Sequence, residues 1–311
     1  MSTERASAIL LGLALGDALG YPVEFLPIES IRQRYGANGI TEPPDPALYT
    51  DDTQMTIAVA QALVDAGTFD LDAFMQTLGR QFIDWLHLQA DPYHRRAPGN
   101  TCLAGVRNFE RGLGWRESGV MGSKGCGSAM RVAPIGYFFQ HQPDRLKEVA
   151  LASGIITHGH PTAQAASVAA AYMVKLALDG IPPSDWFKPI LDFTDGISAE
   201  FDAAILRVGH VEGWGNRDAA LQHIGEGWVA EEAVALALYC LRQHPDDYVA
   251  AVRLGANLTG DSDSVACIAG GISAARLGLE SIPLSWQDRC ENRQGLLELG
   301  AKLAETREKS S

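Results

Sequence analysis

The sequence contains no C-x-x-C pair, and its five cysteines, Cys102, Cys126, Cys240, Cys267 and Cys290, are odd in number and widely scattered. That pattern offers neither a zinc motif nor a redox motif and suits a reducing, cytoplasmic setting. Basic residues are also scarce, with 25 lysines and arginines against 38 acids and a formal net charge of -13. Such a field repels nucleic-acid phosphates and anionic lipid head groups, so neither nucleic acid nor membrane is an expected partner. An anionic substrate would have to be held locally, by loop amides, a few basic groups or a bound cation. No uninterrupted apolar run approaches the roughly 20 residues of a membrane span. The segment Ala6 to Gly16 could mimic an export signal, but Glu4 offsets Arg5 and the helical pattern continues through Asp17, which predicts a first core helix instead. Polar low-complexity tracts, internal repeats and interdomain linkers are missing as well.

What is present is apolar material for a large core, 46% of 311 residues. Apolar residues recur at three- and four-residue spacing in alanine-rich windows bounded by Gly and Pro. The spacing predicts helices over Glu4 to Leu19, Thr53 to Ala66, Leu71 to Leu86, Ser128 to Phe139, Pro161 to Leu178, Glu231 to Leu241, Ser262 to Leu277 and Ser285 to Glu305. Short β-branched strands alternating with helices are absent, so the expected fold is all-α, a compact many-helix bundle forming one domain over residues 1–311. Small residues such as Ala14, Ala166, Ala169 and Ala170 should let helices approach closely. The polar stretches Asn38 to Tyr49, Gln89 to Asn100 and Glu117 to Gly127 should be loops that carry function.

Two acidic clusters stand out, Thr50-Asp51-Asp52-Thr53 and Asp261-Ser262-Asp263-Ser264, each opening an apolar helix. One acid at a helix start is explained by capping and by the macrodipole. Two acids are explained less well, because the second adds repulsion faster than capping. Hard divalent cations want several oxygen ligands, and the two clusters together would supply four carboxylates and two hydroxyls. A class I terpene synthase also pairs acidic clusters on helices. Its D-D-x-x-D motif fails here, because the fifth position is Met55, and diphosphate-binding arginines are lacking around either cluster.

Five blocks, two of them containing these acidic clusters, occur in one order. They are Gly12-Leu13-Ala14-Leu15-Gly16-Asp17-Ala18-Leu19-Gly20 with Pro22-Val23-Glu24-Phe25, then Tyr49-Thr50-Asp51-Asp52-Thr53-Gln54-Met55, then Gly125-Cys126-Gly127-Ser128-Ala129-Met130-Arg131-Val132-Ala133-Pro134, then Thr157-His158-Gly159-His160-Pro161, and Gly260-Asp261-Ser262-Asp263-Ser264-Val265-Ala266. In these blocks the chain resembles the ADP-ribosylglycohydrolases over nearly its whole length.

The resemblance implies an all-α fold with two Mg²⁺ ions, or Mn²⁺ as the alternative, held by Thr50, Asp51, Asp52, Asp261, Asp263 and Ser264. It implies that Glu24 matches a mobile glutamate near the scissile bond, and that either Glu24 or Asp263 takes a proton from water. Gly99, Asn100, Ser123, Gly125, Gly127, Ser128 and His158 match positions bordering the substrate cleft. Relatives often carry asparagine where Cys126 stands, and some an aromatic residue where Lys124 stands. Lys124 is a candidate for phosphate contact or a solvated surface lysine, and the Gly122 to Ser128 loop before a helix is a candidate diphosphate cradle. Arg131 is expected in a buried ion pair, His160 in a structural role, and most of the six tryptophans in the core or an interface. The implied activity is hydrolysis of the bond joining C1″ of ADP-ribose to a modified side chain of a protein partner, arginine first. The alternatives are a serine linkage, a small ADP-ribose conjugate, or a non-catalytic ADP-ribose-binding or immunity protein.

Overall fold

The computed structural model describes residues 2–66 and 70–310. Among these, sixteen α-helices and no strand are present. In chain order they are α1 (Ser2–Gly20), α2 (Ile28–Tyr35), α3 (Asp51–Asp65), α4 (Leu71–Leu88), α5 (Asn100–Glu110), α6 (Ala133–Phe138), α7 (Pro143–Ile155) and α8 (Pro161–Leu178). The second half holds α9 (Phe187–Thr194), α10 (Ala199–His210), α11 (Arg217–Ile224), α12 (Ala230–Gln243), α13 (Tyr248–Ala256), α14 (Ser262–Leu277), α15 (Leu284–Arg289) and α16 (Arg293–Ser310). The all-α expectation holds.

Helix α1 is the axis of the bundle, buried at every residue from Ala6 to Gly20 and packed along α14 and α16. Glu4–Val23 is long and apolar enough to cross a membrane, but 89% of it lies inside this protein core. Its contact with α14 depends on glycines four residues apart, which share one helix face. A Cβ on Gly12 would lie 2.5 Å from Ala274 Cβ, and one on Gly20 would lie 2.5 Å from Asp263 Cα. A Cβ on Gly16 would overlap the Ala266 carbonyl, and one on Gly270 of α14 the Gly12 carbonyl. Close approach was expected of alanines; along α1 glycines carry it. This packing sets the start of α14 against the end of α1.

Two predicted helices are interrupted. The stretch from Ser128 begins as the last residue of a 3-10 turn, Cys126–Ser128, and α6 starts only at Ala133. Pro134 has no N–H to bond a preceding carbonyl, so it fits in the first turn and not further inside. The stretch from Ser285 breaks at residues 290–292 between α15 and α16. There the backbone pairs with Ala47 instead, Ala47 N–H donating to Arg289 O and Glu291 N–H to Ala47 O, and Asn292 adopts a left-handed φ of 51°.

Candidate active site

The starts of α3 and α14 face one cavity of about 380 Å³. At α3, Thr50 is the N-cap, its hydroxyl accepting from Asp52 N–H at 3.3 Å, and Asp51 and Asp52 form the first turn. Asp51 Oδ2 also accepts from Gly99 N–H at 3.1 Å, which ties the Gln89 to Asn100 loop to the cluster. At α14, Asp261 is the N-cap and accepts from Ser264 N–H at 3.3 Å, while Asp263 Oδ1 accepts from the same amide at 3.0 Å. The Cys126 thiol donates to Asp261 Oδ2 at 2.8 Å. Glu24 follows a 3-10 turn, Tyr21–Val23, and its carboxylate reaches those of Asp261 and Asp263. Oxygens of these three lie within 4.8 Å of one another.

Asp17 is the residue whose part the sequence reading missed. It is fully buried in α1, and its carboxylate accepts from Thr50 N–H at 2.9 Å, Thr53 N–H at 3.1 Å and the Thr53 hydroxyl at 2.6 Å. The signal was available, since a lone acid inside an otherwise apolar helix needs buried partners. Asp17 thus fastens α3 to α1, and Gly20 with the Ser262 hydroxyl, which donates to Gly20 O at 3.1 Å, fastens α14.

The acids are short of compensating charge. Among the described residues, no lysine or arginine forms an ion pair with Glu24, Asp51, Asp52, Asp261 or Asp263, and Asp52 Oδ2 is buried without any hydrogen-bond partner. Burial pushes the Asp51 carboxyl up to about 8, and neighbouring Asp17 and Asp261 add to it. Burial, then the charges of Asp261, Asp51 and Asp17, push Glu24 up to about 9. Asp52 and Asp263 are pushed well above the usual carboxylate range for the same reasons. Uncompensated buried carboxylates are unfavourable, and a cation with oxygen affinity removes the penalty. The donor set fits a hard divalent ion.

The remaining wall is built from Gly99, Asn100, Thr101, Gly125, Cys126, Gly127, Met130 and His158, closed at the mouth by Phe25 and Trp228. A Cβ on Gly127 would lie 2.6 Å from Cys102 Sγ, so the loop passes where no side chain fits. His158 is buried, its Nδ1 2.8 Å from the Thr157 hydroxyl. Burial and then Arg131 push its pKa down to about 3, keeping the imidazole neutral. Thr157 Oγ1 accepts from Arg131 Nη2 at 2.7 Å, which leaves the hydroxyl hydrogen for Nδ1 and the ring proton for Nε2 beside Gly125.

Several expected contacts fall elsewhere. Thr50, Ser123 and Ser128 are not on the cavity wall. Ser123 Oγ pairs with the Thr101 hydroxyl at 2.8 Å, and the buried Ser128 hydroxyl donates to Ala163 O at 3.2 Å. Lys124 is not free for phosphate, since Glu200 and Glu231 both hold its ammonium. No α-helix N-terminus follows the glycine loop directly, because the 3-10 turn intervenes, so any phosphate contact there must come from loop amides. Arg131 is buried as expected but forms no salt bridge among the described residues, the charge of Asp51 acting on it without direct contact. It donates to Ser153 O and Thr157 Oγ1 and lies over the Phe82 ring at 4.6 Å. His160 caps α8, its ring accepting from Thr162 N–H. Four tryptophans are buried, while Trp214 and Trp228 are on the surface.

Relatives share this arrangement of sequence. An uncharacterized protein of Archaeoglobus fulgidus is 30% identical, over 97% of this chain and 96% of its own. The ADP-ribosylarginine hydrolase Tri1 of Pseudomonas putida is 28% identical, over 96% of this chain and 78% of its own. A solved structure titled as an ADP-ribosylglycohydrolase-related protein complex superposes with a TM-score of 0.75 at 25% identity, covering 100% of this chain and 99% of that one. With the family matched over residues 2–311 and the fold shared from end to end, the chain belongs to the ADP-ribosylglycohydrolases, enzymes that hydrolyse glycosidic bonds.

Proposed function

We propose that the protein releases ADP-ribose from ADP-ribosylated arginine side chains of proteins, with two divalent ions, Mg²⁺ or Mn²⁺, bound between the starts of α3 and α14. The observation that carries this reading is the set of five facing carboxylates, none in an ion pair with a lysine or arginine among the described residues, and one orphaned oxygen on Asp52. Asp51, Asp52, Asp261 and Asp263 would hold the ions, with the Ser264 hydroxyl as a further oxygen donor, while the Thr50 hydroxyl, off the cavity wall, stays with the Asp52 amide. Bound there, the ions would supply the positive charge that orients ribose hydroxyls and polarises a water.

The chain's own groups do the rest. The Gly125 and Gly127 loop amides and the neutral His158 Nε2–H line the cavity and donate to the ADP-ribose body, the Cys126 amide between them being taken by Trp228 O. Water oxygen attacks C1″, and the C1″–N bond breaks with its electron pair moving to the guanidine. Glu24, free of the hydrogen bonds that occupy Asp261 and Asp263 and held ionised by the positive charge the ions would bring, accepts the water proton and passes it to the departing neutral guanidine, which leaves as guanidinium. The arginine linkage draws support from the Pseudomonas putida relative's name.

Turnover of arginine-, serine- and cysteine-linked ADP-ribosyl peptides with added Mg²⁺ or Mn²⁺ tests the reading. Free ADP-ribose should appear fastest from the arginine linkage; tight binding without turnover would defeat it. Glu24→Gln should lower single-turnover kcat by about 10²–10⁴-fold while ion affinity changes little. A rate within about twofold of the parent, far below that range, would remove Glu24 as the base and leave Asp263.

A further inference from the structure

Two large aromatic side chains lie exposed at the mouth of the acidic cavity, Phe25 at 58% and Trp228 at 40%. Their rings are parallel within 2° with centroids 4.9 Å apart. Exposed aromatic surface beside a polar cavity marks a place where something binds. The pair is also held deliberately. Phe25 adopts a left-handed φ of 67°, uncommon for a residue with a bulky side chain, and its N–H is anchored on Gly260 O at 3.0 Å. Trp228 is anchored twice, its carbonyl accepting from Cys126 N–H and its indole N–H donating to Glu226 Oε2 at 2.9 Å. The backbone that fixes the two rings therefore touches Gly260 and Cys126, the neighbours of the acidic cluster at α14.

Phe25 directly follows Glu24, and both line the same cavity as Trp228, which puts the aromatic pair beside the bond that Glu24 would act on. The surroundings favour a cation: Glu24, Glu226 and Asp261 are near, and the closest lysine on the adjoining loop, Lys124, is neutralised by Glu200 and Glu231. A planar cation stacks on an aromatic face and forks onto a carboxylate, which describes a guanidinium and not a hydroxyl. We propose that Phe25, Trp228 and Glu226 form the leaving-side-chain subsite that recognises a guanidinium and so selects the arginine linkage. The proposal rests on the hydrolytic reading above.

The test is the ratio of kcat/KM for an arginine-linked to a serine-linked ADP-ribosyl peptide. Trp228→Leu should lower that ratio by about 3- to 30-fold, the range of a cation–π contact, and Trp228→Phe should restore most of it. Glu226→Gln, which keeps an acceptor for the indole N–H, should lower the ratio less. An unchanged ratio overturns the proposal. So does an unchanged ratio with weaker binding of free ADP-ribose, which would make the pair a stacking wall for adenine. Indole fluorescence titrated with N-acetylarginine amide and with N-acetylserine amide, each in the presence of ADP-ribose, separates the two readings. If the parent cleaves neither peptide, the hydrolytic reading fails, while a response to the arginine compound alone that disappears in Trp228→Leu keeps the guanidinium subsite. No such response overturns the subsite too.

Discussion

Helices α3 and α14 begin with nearly the same chemistry, a hydroxyl and two carboxylates, yet they are positioned by different physics. The start of α3 is held by hydrogen bonds to a buried charge, Asp17, which accepts three donors. The start of α14 is held mainly by shape, with Gly20 against the backbone of Asp263 and glycines interlocking α1 and α14 along their length, and by a single hydrogen bond from the Ser262 hydroxyl to Gly20 O. Both anchors lie on α1, three residues apart. One helix therefore gauges the separation of the two clusters, and each anchor can be broken without touching the other.

The largest effect should come from the acids themselves. Asp52→Asn and Asp263→Asn each remove a carboxylate from a site that would hold two divalent ions, so activity should fall by at least about 10³-fold, the several-kcal/mol scale of charge stabilisation by metals. Calorimetry should show the loss of ion affinity in both variants; unchanged two-ion binding would defeat the assignment of either residue. After chelation the same variants should be more stable than the parent, increasingly so at higher pH. The sign follows from linkage: a carboxyl raised in the folded state contributes fully below its ordinary value of 3.8 and loses that contribution as pH climbs toward the folded value. With Asp51 near 8 and Glu24 near 9, the stability of the chelated parent should fall across pH 4–9. A Tm difference between Asp52→Asn and parent that is flat over this range would sink the electrostatic account.

Next in size are the anchors, which sharpen the comparison. Asp17→Ala leaves Thr50 N–H, Thr53 N–H and a hydroxyl without their acceptor, at about 1–3 kcal/mol for each unsatisfied buried group. Asp17→Asn keeps one acceptor oxygen and should cost less. Gly20→Ala instead overpacks the α1–α14 contact, at about 1–3 kcal/mol. Both Asp17→Ala and Gly20→Ala should weaken ion binding, by about 10–100-fold in the manner of outer-shell changes. The difference lies in rescue: Asn should restore ion affinity at position 17, whereas no side chain should rescue position 20. Equal affinities for Asp17→Ala and parent would show that α3 is positioned by something other than Asp17.

The long core helices were legible because their apolar spacing persists for many turns, as in α1, α3, α8 and α14. Seven others, α2, α5, α7, α9, α10, α11 and α13, passed unmarked. α2 has eight residues and buries only Ile31 fully, too little repeat for a period to be read. The acids of the site were legible as residue types, because two carboxylates at one helix start exceed what capping needs. What spacing could not convey was direction. Nothing in the sequence says that Ser128 turns inward to Ala163 or that Lys124 is taken by two glutamates on distant helices. Asp17 lies inside the Gly12 to Gly20 block, yet its partners are more than thirty residues away. Glycine spacing on α1 reads equally as flexibility until α14 is seen filling it.

The smallest effect distinguishes the two helix starts most finely, because it belongs to α14 alone. The Cys126 thiol donates to Asp261 Oδ2 and lies 3.5 Å from the Ser264 hydroxyl, so it orients two members of that cluster and none of the α3 cluster. Burial and the adjacent Asp261 and Asp52 push this thiol well above its usual range, so it remains a protonated donor. A single hydrogen bond of this kind contributes about 1 kcal/mol net, or roughly fivefold in an equilibrium. Cys126→Ala should therefore weaken ion binding by about fivefold, and Cys126→Asn, which supplies an amide donor, should recover it. The same Ala substitution made in Asp17→Ala should add its full effect, since the two residues act on different helices and share no partner. Ion titration of the four proteins measures this directly. A double variant markedly better or worse than the sum would mean that the two clusters are not gauged independently from α1.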